Sequence, residues 1–271
     1  MPTFETPEPI SVRIEAGTGS VRLLATDRID TVVEVRPRDE SSSSDVWAAE
    51  HVRVECGDGK LLVSGPKRGL PRFGVGVVDV KIALPSRSRV SASLASAAMS
   101  AEGEFTDFRF ASGSGNIEVD RVSGKLKAAN ASGSVAVHTV AGYASVTNAS
   151  GAVRIDSLDG DARVKAASGA LTVGTLRGNL KARTAAGSVT VAAAVCGSVL
   201  VHTGSGGVAV GVVEGTAVRL DLVTGSGVVT NLLTPTDGPA TGDQTLVLRV
   251  RSASADIDIH RASPAPHAVV G

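Results

Sequence analysis

Aromatic side chains are nearly missing from this chain, which carries 5 Phe, 1 Tyr and 1 Trp in 271 residues. That scarcity argues against a core filled by large rings and against a groove paved with them for sugars. Cysteine is equally thin. Cys56 and Cys196 lie far apart and match no metal-ligand or redox spacing, so the expectation is two reduced, partly buried thiols in a reducing compartment. Net charge is missing too, since 27 acidic residues balance 27 basic ones. No overall field therefore draws the protein toward nucleic acid or an anionic membrane. The longest apolar run, Val189 to Val201, is interrupted by Thr190, Gly197 and Ser198. It falls short of the roughly 20 residues of a membrane-spanning helix. Met1 to Ile10 is Pro-rich and acidic, with neither a basic n-region nor an apolar h-region. These features predict a soluble cytoplasmic protein with no signal peptide.

What the chain has in quantity is glycine, 31 residues of it, beside much Ala, Val and Ser. The glycines are periodic. Ser114-Gly115, Ser132-Gly133, Ser150-Gly151 and Ser168-Gly169 recur every 18 residues, and Ala186-Gly187 follows in phase. Looser copies stand at Ser205-Gly206 and Ser226-Gly227, with a degenerate one at Ser96-Ala97. A second glycine sits nine residues after the first, at Gly124, Gly142, Gly160 and Gly178, with Gly197 displaced by one. Repetition of this kind is the signature of a solenoid.

Apolar residues take the second and fourth places after each first glycine, as in Val135 and Val137 or Leu171 and Val173. This alternation marks a strand with one face inward. A third inward place follows at Val122, Val140, Leu158 and Leu176, and the second half-coil repeats the pattern with Ala144 and Val146 or Leu180 and Ala182. Identical residue types 18 apart stack above one another only when successive coils pair in register as parallel strands. The predicted fold is therefore all-β: a parallel β-solenoid of 18-residue coils, each made of two 9-residue halves, about 35 Å long at roughly 4.8 Å per coil. Asn130 and Asn148 fall in one column, which Ala166 breaks and Thr184 and Thr203 resume. They predict a side-chain ladder.

Residues 96–233 carry the repeat. Residues 1–95 read as early strands that cap it, with Gly57-Asp58-Gly59 as a hairpin turn and Gly19 to Leu23 echoing the repeat. Arg38 to Glu50 reads as a polar loop ending in a helical turn at Trp47, and Lys67 to Gly76 as a second loop bearing Phe73. Residues 234–262 bring Thr245 to Val250 and Asp256 to Ile259 back as strands that close the last coil, and 263–271 form a flexible tail.

Chemistry is hard to find. Calcium-binding β-rolls need an aspartate at each turn, but the column of Asp120, His138 and Asp156 continues as Gly174 and Ala192. Asp159 and Asp161 flank Gly160 and read as solvated turn residues rather than a glycosidase pair. The five histidines have no neighbours suggesting a triad, and the turn serines recur too regularly to be nucleophiles. No catalytic, metal or cofactor residue is assigned. The surface feature that stands out is basic: Lys125, Lys127, Arg163, Lys165, Lys181 and Arg183 all fall on outward positions of the second half-coil. Together with Trp47 and Phe73 they are the candidate interaction residues.

The Pro7 to Val12 run, the Asp30 to Pro37 segment, the Leu84-Pro85-Ser86-Arg87 lead into Ser-Gly coils and the final Ala255 to Ile259 strand resemble the bacterial putative-adhesin β-solenoid family, the domain-of-unknown-function 4097 type, in a form common in actinobacteria. The resemblance implies a single solenoid with β caps and brings no catalytic residues. This chain differs in placing Asn116, Ser134, Ala152, Ala170 and Ser188 after the turn glycine, where an acidic residue is usual for the family. The predicted role is a non-enzymatic scaffold for a protein partner or for self-association, with no nucleic acid and no small-molecule substrate. A carbohydrate-binding or carbohydrate-active β-helix is the alternative.

Overall fold

The computed structural model describes residues 2–66, 76–235 and 238–262. Its first elements are β1 (Thr3–Glu5), β2 (Ser11–Thr26), β3 (Asp30–Pro37), α1 (Ser43–Glu50), β4 (Arg53–Gly57), β5 (Lys60–Ser64) and β6 (Val77–Pro85), followed by the long β7 (Ser88–Ser114). Stacking order departs from chain order at once. Along one edge β2 pairs in parallel with β5 and β6, as in Val12 with Leu61 and Val21 with Val80. Along its other edge it pairs in parallel with β7, as in Val12 with Val90 and Val21 with Met99. Residues 11–26 are thus a full coil held between two others.

Antiparallel strands finish this end: β3 on β6, β1 on β3 and β4 on β5. They break the parallel register that a further coil would need, and β4 turns charged Arg53 and Glu55 to solvent, which blunts the edge. The β4–β5 hairpin turns through Asp58 and Gly59, both at positive φ (49° and 67°), as a two-residue type I′ turn requires. The helical turn expected at Trp47 is the eight-residue α1, capped by the Ser42 hydroxyl. Buried Asp45 fastens it by accepting the backbone N–H groups of Val77 and Asp39 at 3.0 and 3.3 Å.

The repeat then runs through β8 (Ile117–Val122), β9 (Lys125–Ser132), β10 (Val135–Ser150), β11 (Val153–Ser168), β12 (Leu171–Ala186) and β13 (Val189–Ser205). Every pairing is parallel and offset by one coil, as in Val135 with Val153 and Val153 with Leu171. One bulge after Leu176 pairs Arg177 with Cys196. This is the extra residue already visible in the displaced Gly197. The columns of small branched residues are buried throughout, and among the described residues the largest fully buried side chains are Phe105, Phe108 and Phe110. Those three rings meet edge to face, with centroids 5.3 and 6.3 Å apart. Phe110 pairs with Ala128, whose short side chain leaves room for the ring.

One inward column is polar. Ser112, Asn130, Asn148 and Thr203 are buried beneath the Ser-Gly corner, and their side chains bond the backbone of the turn, as Thr203 Oγ1 does in donating to the Ser205 carbonyl at 2.8 Å. The predicted ladder is therefore a set of turn clamps. Outside the same corner the serine hydroxyls reach back one coil, Ser132 to the Gly113 carbonyl at 3.3 Å and Ser168 to that of Ala149 at 3.4 Å.

The far end comprises β14 (Val208–Val212), β15 (Thr216–Ser226), β16 (Val229–Asn231), β17 (Gln244–Ser254) and β18 (Ile257–Arg261). The strands expected to close the last coil form as β17 and β18 but lie inside the stack. β17 sits between β13 and β15, and β18 between β14 and β16. The physical reason is hydrogen bonding: after β14 the chain passes to the half-coil beyond, and an inserted strand satisfies backbone groups along both its edges. The last coil is instead β15 with β16. Phe73 and the tail from Ser263 lie outside the described residues.

Candidate interaction face

Outward side chains of the second half-coil stand in parallel columns set by the coil register. Lys125 heads one column, followed by Tyr143, Asp161 and Asn179. The next runs Arg109, Lys127, Ser145, Arg163 and Lys181. The third runs Ala129, Thr147, Lys165, Arg183 and His202. All six predicted cations point outward, and only Lys181 is half-buried. They do not form one unbroken stripe, because the coil of Tyr143, Ser145 and Thr147 separates Lys125 and Lys127 from a quartet of Arg163, Lys165, Lys181 and Arg183.

Neighbouring coils are about 4.8 Å apart, and alternate residues of a strand about 7 Å. The Cα atoms of the quartet thus stand on a rectangle of about that size, with four cationic side chains rising from it. The salt bridges on this side of the molecule involve Arg13, Arg89, Arg249 and Arg251. Among the described residues no carboxylate pairs with the quartet. Repulsion between close cations leaves such a surface favouring an anionic partner.

Beside the quartet runs a shallow groove whose floor is the outward column Ala131, Ala149, Ala167 and Ala185. Its open volume is about 810 Å³, and a second stretch of about 710 Å³ continues it past Arg183, His202 and Arg251. The floor is low because every coil places Ala or Gly here.

The face also carries cations that the sequence reading did not single out, among them Arg109, Arg249 and Arg251. Arg109 pairs with Lys127 in register and was legible as the residue 18 places earlier. Arg249 and Arg251 join the columns only because β17 inserts beside β13, which no periodicity announces. Both pair with Asp221, whose Oδ2 accepts from Arg249 Nε at 2.9 Å and from Arg251 at 2.7 Å, leaving one net positive charge in the cluster. Those hydrogen bonds hold the Asp221 carboxyl below its ordinary range.

Trp47 is not part of this face. It belongs to α1 at the opposite end of the stack, is half-buried, and stacks on His51 with ring centroids 4.2 Å apart.

On the first half-coil, His138 bridges two coils. Its Nδ1 lies 2.8 Å from Asp156 and its Nε2 lies 3.4 Å from Glu118. The hydrogen bond to Asp156 and the nearby acids Asp120 and Glu118 raise the His138 pKa. Burial alone would raise that of Asp156, but bonds from Arg154 and His138 overcome it and lower the value. Among the described residues no group of three or more His, Cys, Asp or Glu is placed to hold a metal ion. No helix of the described residues is long and apolar enough to cross a membrane.

A family model described as Toastrack DUF4097 matches residues 33–263. No curated protein matches the chain. Among solved structures the chain is similar to a "putative adhesin" of Bacteroides fragilis, at 14% identity over 95% of each chain with a TM-score of 0.43. It is also similar to a "putative lipid binding protein" of Parabacteroides distasonis, at 8% identity over 97% of this chain and 96% of that one, with a TM-score of 0.39. At these values neither likeness assigns a role to any residue here.

Proposed function

The chain belongs to the Toastrack DUF4097 family, and from that premise we propose that it is a non-enzymatic β-solenoid interaction protein that docks an acidic protein surface on the second half-coil. The observation that carries this reading is the quartet of Arg163, Lys165, Lys181 and Arg183, four cations held by rigid strands and paired with no carboxylate among the described residues. A strand register fixes the spacing of their Cα atoms before any partner arrives, so the ordering cost of binding falls on the side chains and not on the backbone. The alanine floor beside them admits an extended partner segment close to the backbone. Free Cys56 and Cys196 support placing this activity in the reducing cytoplasm.

The test is a pull-down from native extract with the triple variant Lys165→Glu, Lys181→Glu, Arg183→Glu beside the unchanged protein. The wild type should retain an acidic partner that elutes as salt rises, and the variant should lose it. Equal capture by both overturns the reading.

A further inference from the structure

The two ends of the stack are finished differently. Among the described residues the large exposed hydrophobics are Ile29, Val223, Val228, Val229, Leu232 and Val247. Four of the six, Val223, Val228, Val229 and Leu232, belong to the last coil or its immediate exit. Val229 continues the column of Val208 and Ile257, both buried, yet is itself 44% exposed. Val218, Leu220 and Leu222 continue the column of Leu246, Leu248 and Val250, and they too are only partly covered. The core is therefore cut open at this end. Among the described residues β15 pairs only with β17 and β16 only with β18, so each offers a bare edge.

The bare edge has a pattern of its own. Thr216 to Thr224 reads T-A-V-R-L-D-L-V-T, and reversing it about Leu220 returns the same chemistry: Thr on Thr, Ala on Val, Val on Leu, Arg on Asp, Leu on Leu. Antiparallel pairing of this strand with a copy of itself keeps inward residues inward only in registers centred on a residue. Centring on Arg219 sets Arg against Arg, and centring on Asp221 sets Asp against Asp. Centring on Leu220 sets Arg219 against Asp221 twice and overlaps all nine residues.

We propose that this edge is an interface for a second copy of the chain, joined end to end about a two-fold axis through Leu220 and normal to the sheet. The rotation continues the sheet from one copy into the other and turns the open ends of the two cores toward each other. A two-fold contact consumes both bare ends, so assembly stops at the dimer. The antiparallel strands and α1 at the other end template no further coil.

Size-exclusion chromatography with light scattering across a dilution series should show a reversible species of twice the chain mass. Arg219→Glu changes an exposed side chain and sets like charges together at both symmetry-related contacts. It should weaken the dimer about tenfold or more. A register test needs no loss of binding: the double variant Ala217→Cys, Val223→Cys should form a disulfide-linked dimer on mild oxidation, whereas Ala217→Cys alone and the wild type with its own two cysteines should not. Three results overturn the proposal: a monomer at every concentration, a dimer indifferent to Arg219→Glu and not trapped by the cysteine pair, or an open-ended series of larger species.

Discussion

Gly151 lies so close against Gly133, one coil below, that a Cβ on Gly151 would sit 2.3 Å from the Gly133 carbonyl oxygen. The Gly151 φ of +111° is one that L side chains rarely adopt. Two independent penalties therefore meet at the Ser-Gly corner. Gly151→Ala should cost about 3 kcal/mol of stability in urea unfolding. Ala167→Ser, on the outward floor two residues before Gly169, should stay within about 0.5 kcal/mol. Equal effects would mean that the corner is not what sets the stacking distance.

The polar column beneath that corner makes a second prediction with opposite signs at adjacent coils. Asn148 Nδ2 donates to the Gly151 carbonyl at 2.9 Å and to the Gly133 carbonyl at 3.4 Å, tying two coils together. Asn148→Ala should lose about 1–3 kcal/mol. The next position in the column is Ala166, paired with Asn148 in register. Ala166→Asn should regain a clamp on Gly169 and stabilise by about 0.5–1.5 kcal/mol. Thermal melts of the two variants against the wild type, moving in opposite directions, are the expected result.

His138 supplies a pH dependence whose sign is fixed. Its folded pKa is raised above the ordinary 6.5 by the hydrogen bond to Asp156. The stability it contributes is therefore fully present below the unfolded value and disappears as pH rises through the folded one. Asp156 is shifted the other way, so its own contribution falls away as pH drops through its lowered folded value. Denaturation of wild type and His138→Gln should differ most below the ordinary histidine value of about 6.5 and above the carboxylate range, and converge as pH rises through the raised folded value of His138. Both groups are partly exposed, so the gap should be small and shrink in high salt. A gap that widened with rising pH would contradict the geometry.

The middle of the molecule was readable from spacing because each coil touches only its neighbours and repeats their pattern. Inward Val137, its column partner Ile155, and the clamp residues Asn130 and Asn148 all fall where the 18-residue phase places them. Even the bulge before Gly197 left its mark as a shifted glycine. The two ends were not readable in this way. Insertion of β2 beside β5 and β6, and of β17 beside β13, depends on strand pairings between segments separated by tens of residues with no shared phase. The alignment of Arg249 with Leu200 and of Arg251 with His202 follows from that insertion and inherits its illegibility. The basic columns were visible as outward positions, but their division by the neutral Tyr143 coil emerges only when the columns are laid side by side.

Because β2 and β18 are sandwiched inside the stack, the molecule is mechanically unlike a rope of coils that peels from its free ends. Tension applied at Ser11 and Arg261 loads β2 and β18, each bonded to neighbours on both sides. The line between the two points runs mainly along the stack, across the strands, so each of these strands must be freed from two neighbours at once before a coil can unwind. The same arrangement delays completion during synthesis: the gap between β13 and β15 stays open until Gln244–Ser254 has been made.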